Sequence, residues 1–92
     1  MLRYSTKNDL EAESKRRMGE FDIRISILRG NMLALKNRLE REQHRAANIE
    51  RAGREVPDSL RTAIVELQQE VLDAEADIAQ MQKEKKASAD SF

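Results

Sequence analysis

The chain has 92 residues, 39% hydrophobic, 37% charged and 3% aromatic, with no cysteine. A chain of this size makes one small domain with little free energy above the entropy of ordering it, so a thin core needs a supplement; disulfides are excluded, which leaves partners. Seventeen basic and seventeen acidic residues cancel, which excludes a global electrostatic pull toward nucleic acid or an anionic membrane surface.

Ala, Glu, Lys, Leu and Arg make up roughly half of the residues, a composition of long helices rather than sheets. The first ten residues, MLRYSTKNDL, contain no apolar block of the secretory kind, and no apolar run approaches the roughly 20 residues that span a bilayer. The expectation is a soluble, cytoplasmic protein with no membrane partner.

The first element predicted is a helix over about 8–52. From Met18, steps of three and four give Phe21, Ile25, Leu28, Met32, Leu35, Leu39, Glu42, Ala46 and Ile49, a 3.5-residue apolar repeat interrupted only at Glu42. Ile25, Met32, Leu39 and Ala46 are taken as position a of the heptad. Ahead of this seam lies Lys15-Arg16-Arg17, the one dense basic run, with Glu11, Glu13, Glu20 and Asp22 around it. Those carboxylates lower the local potential, so a phosphate-binding role for Lys15, Arg16 and Arg17 is the alternative reading and not the leading one.

Residues 21–31, FDIRISILRGN, alternate apolar and polar side chains and end in a Gly-Asn pair, which also suits a β-hairpin. Two arguments favour a helix. A two-stranded hairpin without a third strand is marginal in water, and the heptad crosses Gly30 in phase, from Leu28 to Met32. The alternation then arises from two helical stripes. Phe21, Ile25 and Leu28 belong to the seam, whereas Ile23, Ile27 and Ala34 form an outer stripe. Further along, Glu42 in the seam is expected to pack its stem and send its carboxylate toward Arg45 or Arg38; the other reading makes it a polar residue that fixes register. His44, the only histidine, lies outside the seam and has no second ligand at i+4, so it reads as a solvated surface residue.

A turn is predicted at about 53–58. Gly53 suits the left-handed end of one helix, Pro57 cannot continue it, and Asp58 or Ser59 can cap the next. A second helix is predicted over about 59–86, with a seam of Leu60, Ile64, Leu67, Val71, Ala74, Ile78 and Met81 and an extra ridge of Val65, Leu72 and Ala79 beside Ala76. Glu66, Glu70, Asp73, Glu75 and Asp77 radiate around it. They lack the Glu-x-x-His of carboxylate metal bundles and read as a solvated face opposite the more basic first helix. Residues 87–92 are expected to form a polar tail outside the helix.

Charge selects the register of the hairpin. Residues 1–52 hold twelve basic side chains against eight acidic, and residues 53–92 hold five against nine. Pairing Ile49 with Ile64, Ala46 with Leu67, Leu39 with Ala74, Leu35 with Ile78 and Met32 with Met81 brings Glu50 to Arg61, Lys36 to Glu75, Arg45 to Glu70 and Arg38 to Asp77, all of opposite sign. Such pairs contribute about 0.2–1 kcal/mol each and choose a register more than they hold it. In this register the shorter second helix ends near Ile27, leaving Met18 and Phe21 on an exposed overhang, with Phe92 of the tail opposite Phe21.

No P-loop, GxGxxG, HExxH, CxxC or nucleophile elbow is present. The sequence therefore predicts an all-α, antiparallel two-helix coiled-coil hairpin occupying residues 1–92 as one domain. A second copy, giving a four-helix bundle, or another protein is expected to complete it. The expected function is non-enzymatic, that of an adaptor, chaperone-like protein, inhibitor or assembly subunit, with no cofactor, metal or small-molecule substrate. The partner-binding residues implied are Met18, Phe21, Ile23, Ile27, Ala34, Val65, Leu72 and Ala79; a small nucleic-acid-binding regulator is the alternative.

Overall fold

The structure, a computed structural model, describes residues 7–90. Two helices account for nearly all of it: α1, Lys7–Arg51, and α2, Asp58–Asp90. Among the described residues there is no strand, and residues 21–31 are helical without interruption. Seam periodicity prevails over the alternating pattern because a helix buries Phe21, Ile25 and Leu28 on one side, whereas a lone hairpin would have nothing to pack against.

The two helices run antiparallel. Lys36 reaches Glu75 at 3.6 Å, and Lys85 meets Asp22, so lower numbers on one helix go with higher numbers on the other. The molecule is a rod of 78 × 16 × 15 Å. The Lys36–Glu75 contact is the one the charge-selected register requires and is incompatible with a slip of one heptad, which would set Glu75 beside Arg29. The other three ion pairs expected across the hairpin, Glu50 with Arg61, Arg45 with Glu70 and Arg38 with Asp77, do not form within 4.0 Å. Exposed pairs gain too little to immobilise two long side chains, and Arg45 turns along its own helix to Glu42 at 3.9 Å.

Every seam residue from Met18 to Ile49 and from Leu60 to Met81 is buried or half-buried. Leu60, Leu67, Val71 and Ile78 of α2 and Ile25 of α1 are 5–8% exposed, each gaining roughly 1.5–3 kcal/mol from leaving water. No described side chain is fully enclosed, because two helices cover each seam residue from one direction only. Glu42 follows the seam: its side chain is 26% exposed and its carboxylate points to Arg45, so the stem packs while the charge keeps to the edge.

The turn forms by a defined capping arrangement. Gly53 takes φ 75°, Arg54 N–H donates to the Ile49 carbonyl at 3.1 Å and Gly53 N–H to the Glu50 carbonyl at 2.9 Å. These two bonds satisfy the last carbonyls of α1, and glycine accepts the left-handed conformation without a Cβ clash. The Pro57 carbonyl then accepts from both Leu60 and Arg61 N–H at 3.1 Å, so Pro57 opens α2. Asp58 sits inside the first turn, where its charge complements the helix dipole, rather than at the capping position.

The C-terminal end differs from expectation. Instead of ending near Lys86, α2 continues through residues 87–90 to Asp90, since Ala87, Ser88 and Ala89 contain no breaker and two of the three are the best helix former. The overhang shortens accordingly. Phe21 and Met18 are half-buried, and Ser88 stands beside Phe21, Arg17, Glu20 and Arg24. The contact expected between Phe92 and Phe21 lies outside the described residues. What α1 leaves uncovered is its first turns, where Leu10 is 52% exposed.

Candidate interaction surfaces

A two-helix rod has two broad sides, and the register determines which residues share each. With Ile64, Val71 and Ile78 as position a of α2, Lys36 and Glu75 are both at heptad position e, so their contact fixes the e positions of α1 and α2 on one side; the neighbouring b positions flank them. The g positions meet on the opposite side, flanked by c. Groove linings agree: Ala46, Glu50, Val56, Arg61, Ile64 and Val65 surround a depression on the e side, and Glu42, Arg45, Ile49, Leu60 and Ala63 surround one on the g side.

The e side is the more apolar. Val65 and Leu72 stand out at 63% and 58% exposed and Ala79 is exposed beyond them. Across the groove on α1, Leu33 is 59% exposed and Ala47 half-buried. In the observed register Leu33 is level with Ala79, and Ala47 with Val65. Leu33 is absent from the partner-binding set read from the sequence; its heptad letter, shared with Val65 and Leu72, was the available signal. Val56 also escaped the sequence reading. This turn residue is 6% exposed and closes the seam beside Ile64, and no heptad extends through a turn to mark it.

The g side is separated by charge. Its α1 edge carries Arg24, Arg38, Arg41 and Arg45, and its α2 edge Glu66, Glu70, Asp73, Asp77 and Glu84. Arg24, Arg38, Arg41, Glu66, Glu70 and Asp77 have no charged partner within 4.0 Å among the described residues. Ile27 and Ala34 lie at the margin of this side, and Ile23 on the back of α1, away from α2; Ile23 and Ile27 are 63% and 58% exposed. The predicted partner-binding set thus divides in three: Val65, Leu72 and Ala79 on the e side, Ile23, Ile27 and Ala34 on the outer margin of α1, and the half-buried Met18 and Phe21, the latter beside Ser88 of α2.

The basic run does not form one patch. Lys15 is exposed, Arg16 pairs with Glu13 at 3.4 Å, and Arg17 turns inward beside Phe21 and Ser88. His44 is exposed and lies 3.8 Å from Glu40. Among the described residues no group of three or more histidine and carboxylate side chains is placed to hold a metal ion, and no helix is long and apolar enough to cross a membrane. Glu75, once counted with the acidic cluster, belongs to the e side through Lys36, while the other four members lie on the g side. Comparison with protein-family models, with curated proteins and with solved structures returned no match.

Proposed function

We propose that the protein is a non-enzymatic helical interaction module whose activity is binding, through apolar surfaces that the hairpin itself leaves uncovered. The observation that carries this reading is the exposure of Leu33, Val65 and Leu72 together on one side of a rod whose seam encloses no side chain fully. Scattered apolar residues are ordinary on any surface; several large ones along one side of a thin core form the kind of patch that marks a docking site. Closing that side with further helices, as in a four-helix bundle, supplies the burial that two helices lack.

The alternative of a nucleic-acid-binding regulator has less support, because Arg16 pairs with Glu13 and Arg17 is half-buried beside Phe21 and Ser88, which leaves Lys15 as the exposed member of the run without an ion pair among the described residues. Capture on the immobilised full chain from the native host, with and without nuclease, tests the choice. A protein retained in both arms, and lost when Leu33, Val65 and Leu72 are replaced by polar residues, is the expected result. Loss of all captured material on nuclease treatment transfers the reading to nucleic acid. A chain that captures nothing and remains a monomer at every concentration contradicts the reading.

A further inference from the structure

We propose that the occupant of the e side is a second copy of this chain, docked about a two-fold axis parallel to the hairpin, so that each α1 lies along the partner's α2 and both turns are at the same end. The inference rests on the reading of the apolar side as a docking surface and adds the identity and orientation of the partner.

Complementarity between the two faces selects the orientation. Two copies can stack their e sides about a two-fold axis running along the rod or about one running across it. The axis along the rod sets each residue of α1 level with the residue of the partner's α2 that it already faces in its own chain. Lys36 then meets the partner's Glu75, Glu50 the partner's Arg61, Leu33 the partner's Ala79 and Ala47 the partner's Val65. The charged matches are of opposite sign and Leu33 and Ala47 meet apolar residues, because the hairpin register of which Lys36–Glu75 is the observed member is reproduced between chains; Leu72 falls level with the partner's Glu40, whose stem can pack against it while its carboxylate stays beside His44 of its own helix at 3.8 Å. The axis across the rod, centred so that Leu72 meets its own equivalent and Val65 the partner's Ala79, sets Glu40 against the partner's Glu40, a like-charge contact at the centre.

The g side offers no comparable apolar burial: of the large exposed apolar side chains only Ile27 lies at its margin, against Leu33, Val65 and Leu72 on the e side. Area is sufficient on the e side. The paired stretch from Asp22 to Glu50 is about 42 Å long at 1.5 Å per residue, and the rod is 16 Å wide. This gives a footprint of roughly 700 Å², close to the ~800 Å² per partner of a stable interface.

Sedimentation equilibrium of the full chain, with circular dichroism on each variant, provides the first test. The wild type is expected at twice the chain mass at micromolar concentration. Leu72→Asp is expected to weaken association by about tenfold or more with its helical signal intact, and Ile23→Asp by no more than about twofold. Should Leu72→Asp lose helical signal, Val65→Lys on the same ridge replaces it. The second test uses the absence of cysteine. A single nitroxide on Arg54→Cys, measured by pulsed dipolar spectroscopy, is expected to report the two turns within about 30 Å of each other, whereas turns at opposite ends of the bundle lie beyond about 40 Å. A wild type that stays monomeric overturns the second copy as occupant while leaving capture of another protein to decide the proposed function. Dimers indifferent to substitution at Leu72 and Val65 overturn the surface, and turn labels at opposite ends overturn the axis.

Discussion

On the e side of the hairpin, Leu33, Val65, Leu72 and Ala79 stand among Gln43, Gln68 and Gln82 with charges of both signs interspersed on each helix; on the g side, an arginine edge on α1 faces a carboxylate edge on α2. Both sides are built by the same two helices and lie the same distance from the seam. The difference shows what the seam leaves undetermined. Positions a and d must be apolar for the hairpin to close, but positions b, c, e and g are under no such demand, and here one flank spends them on solvation and charge while the other exposes side chains that gain by being covered. This asymmetry is the ground for the proposed encounter on the e side.

Four substitutions sharpen this comparison, and the largest effect belongs to neither flank. Ile78→Ala removes a side chain that is 7% exposed at the centre of the seam, and the hairpin is expected to lose about 2–4 kcal/mol in denaturant unfolding. A loss under 1 kcal/mol would mean that the seam is not what closes the hairpin. Next comes the e flank: Val65→Asp places a carboxylate on the exposed ridge, and association is expected to weaken by about 1.4 kcal/mol or more, a factor of ten, with the midpoint of dilute-solution unfolding little changed.

Gly30→Ala probes the back of α1. A Cβ added there meets nothing within 4 Å, so the substitution is expected to raise stability by up to about 1 kcal/mol through helix propensity without altering association. Weaker association instead would show that a partner packs closely against Gly30. Smallest is the g flank, where Asp77→Ala removes a charge with no ion-pair partner among the described residues; the expected change is within about 0.5 kcal/mol in stability and none in self-association. A marked effect would assign the charge-separated side a role in binding.

Most of the fold is legible in the sequence because a heptad is a redundant signal. Nine of ten seam positions from Met18 to Ile49 are apolar, so the exception at Glu42 and the alternation around Ile23 and Ile27 could not hide the period. Gly53 and Pro57 place the turn for stereochemical reasons that hold in any context. The end of α2 was less legible, since nothing stops a helix at Lys86 and the polarity of residues 87–90 was mistaken for fraying; small residues such as Ser88 pass beside Phe21 without needing to be apolar. The surface was legible in composition and not in arrangement. Val65, Leu72 and Ala79 stood out at heptad spacing, yet grouping them with Ile23 and Ile27 required a common side, and that follows only once Lys36–Glu75 shows where the e positions meet. Surface ion pairs were the least predictable element, because each is worth so little that neighbours on the same helix compete for the same charge, as Glu42 does for Arg45.

The contrast between the two flanks is tested most directly by following backbone amide resonances of the full chain as its concentration is raised. Shifts are predicted to cluster at Leu33, Ala47, Val65, Leu72 and Ala79, with residues 66, 70, 73 and 77 and the back of α1 at Ile23 unmoved. Shifts concentrated at those acidic positions or at Ile23, with Leu72 and Val65 unchanged, would contradict the account.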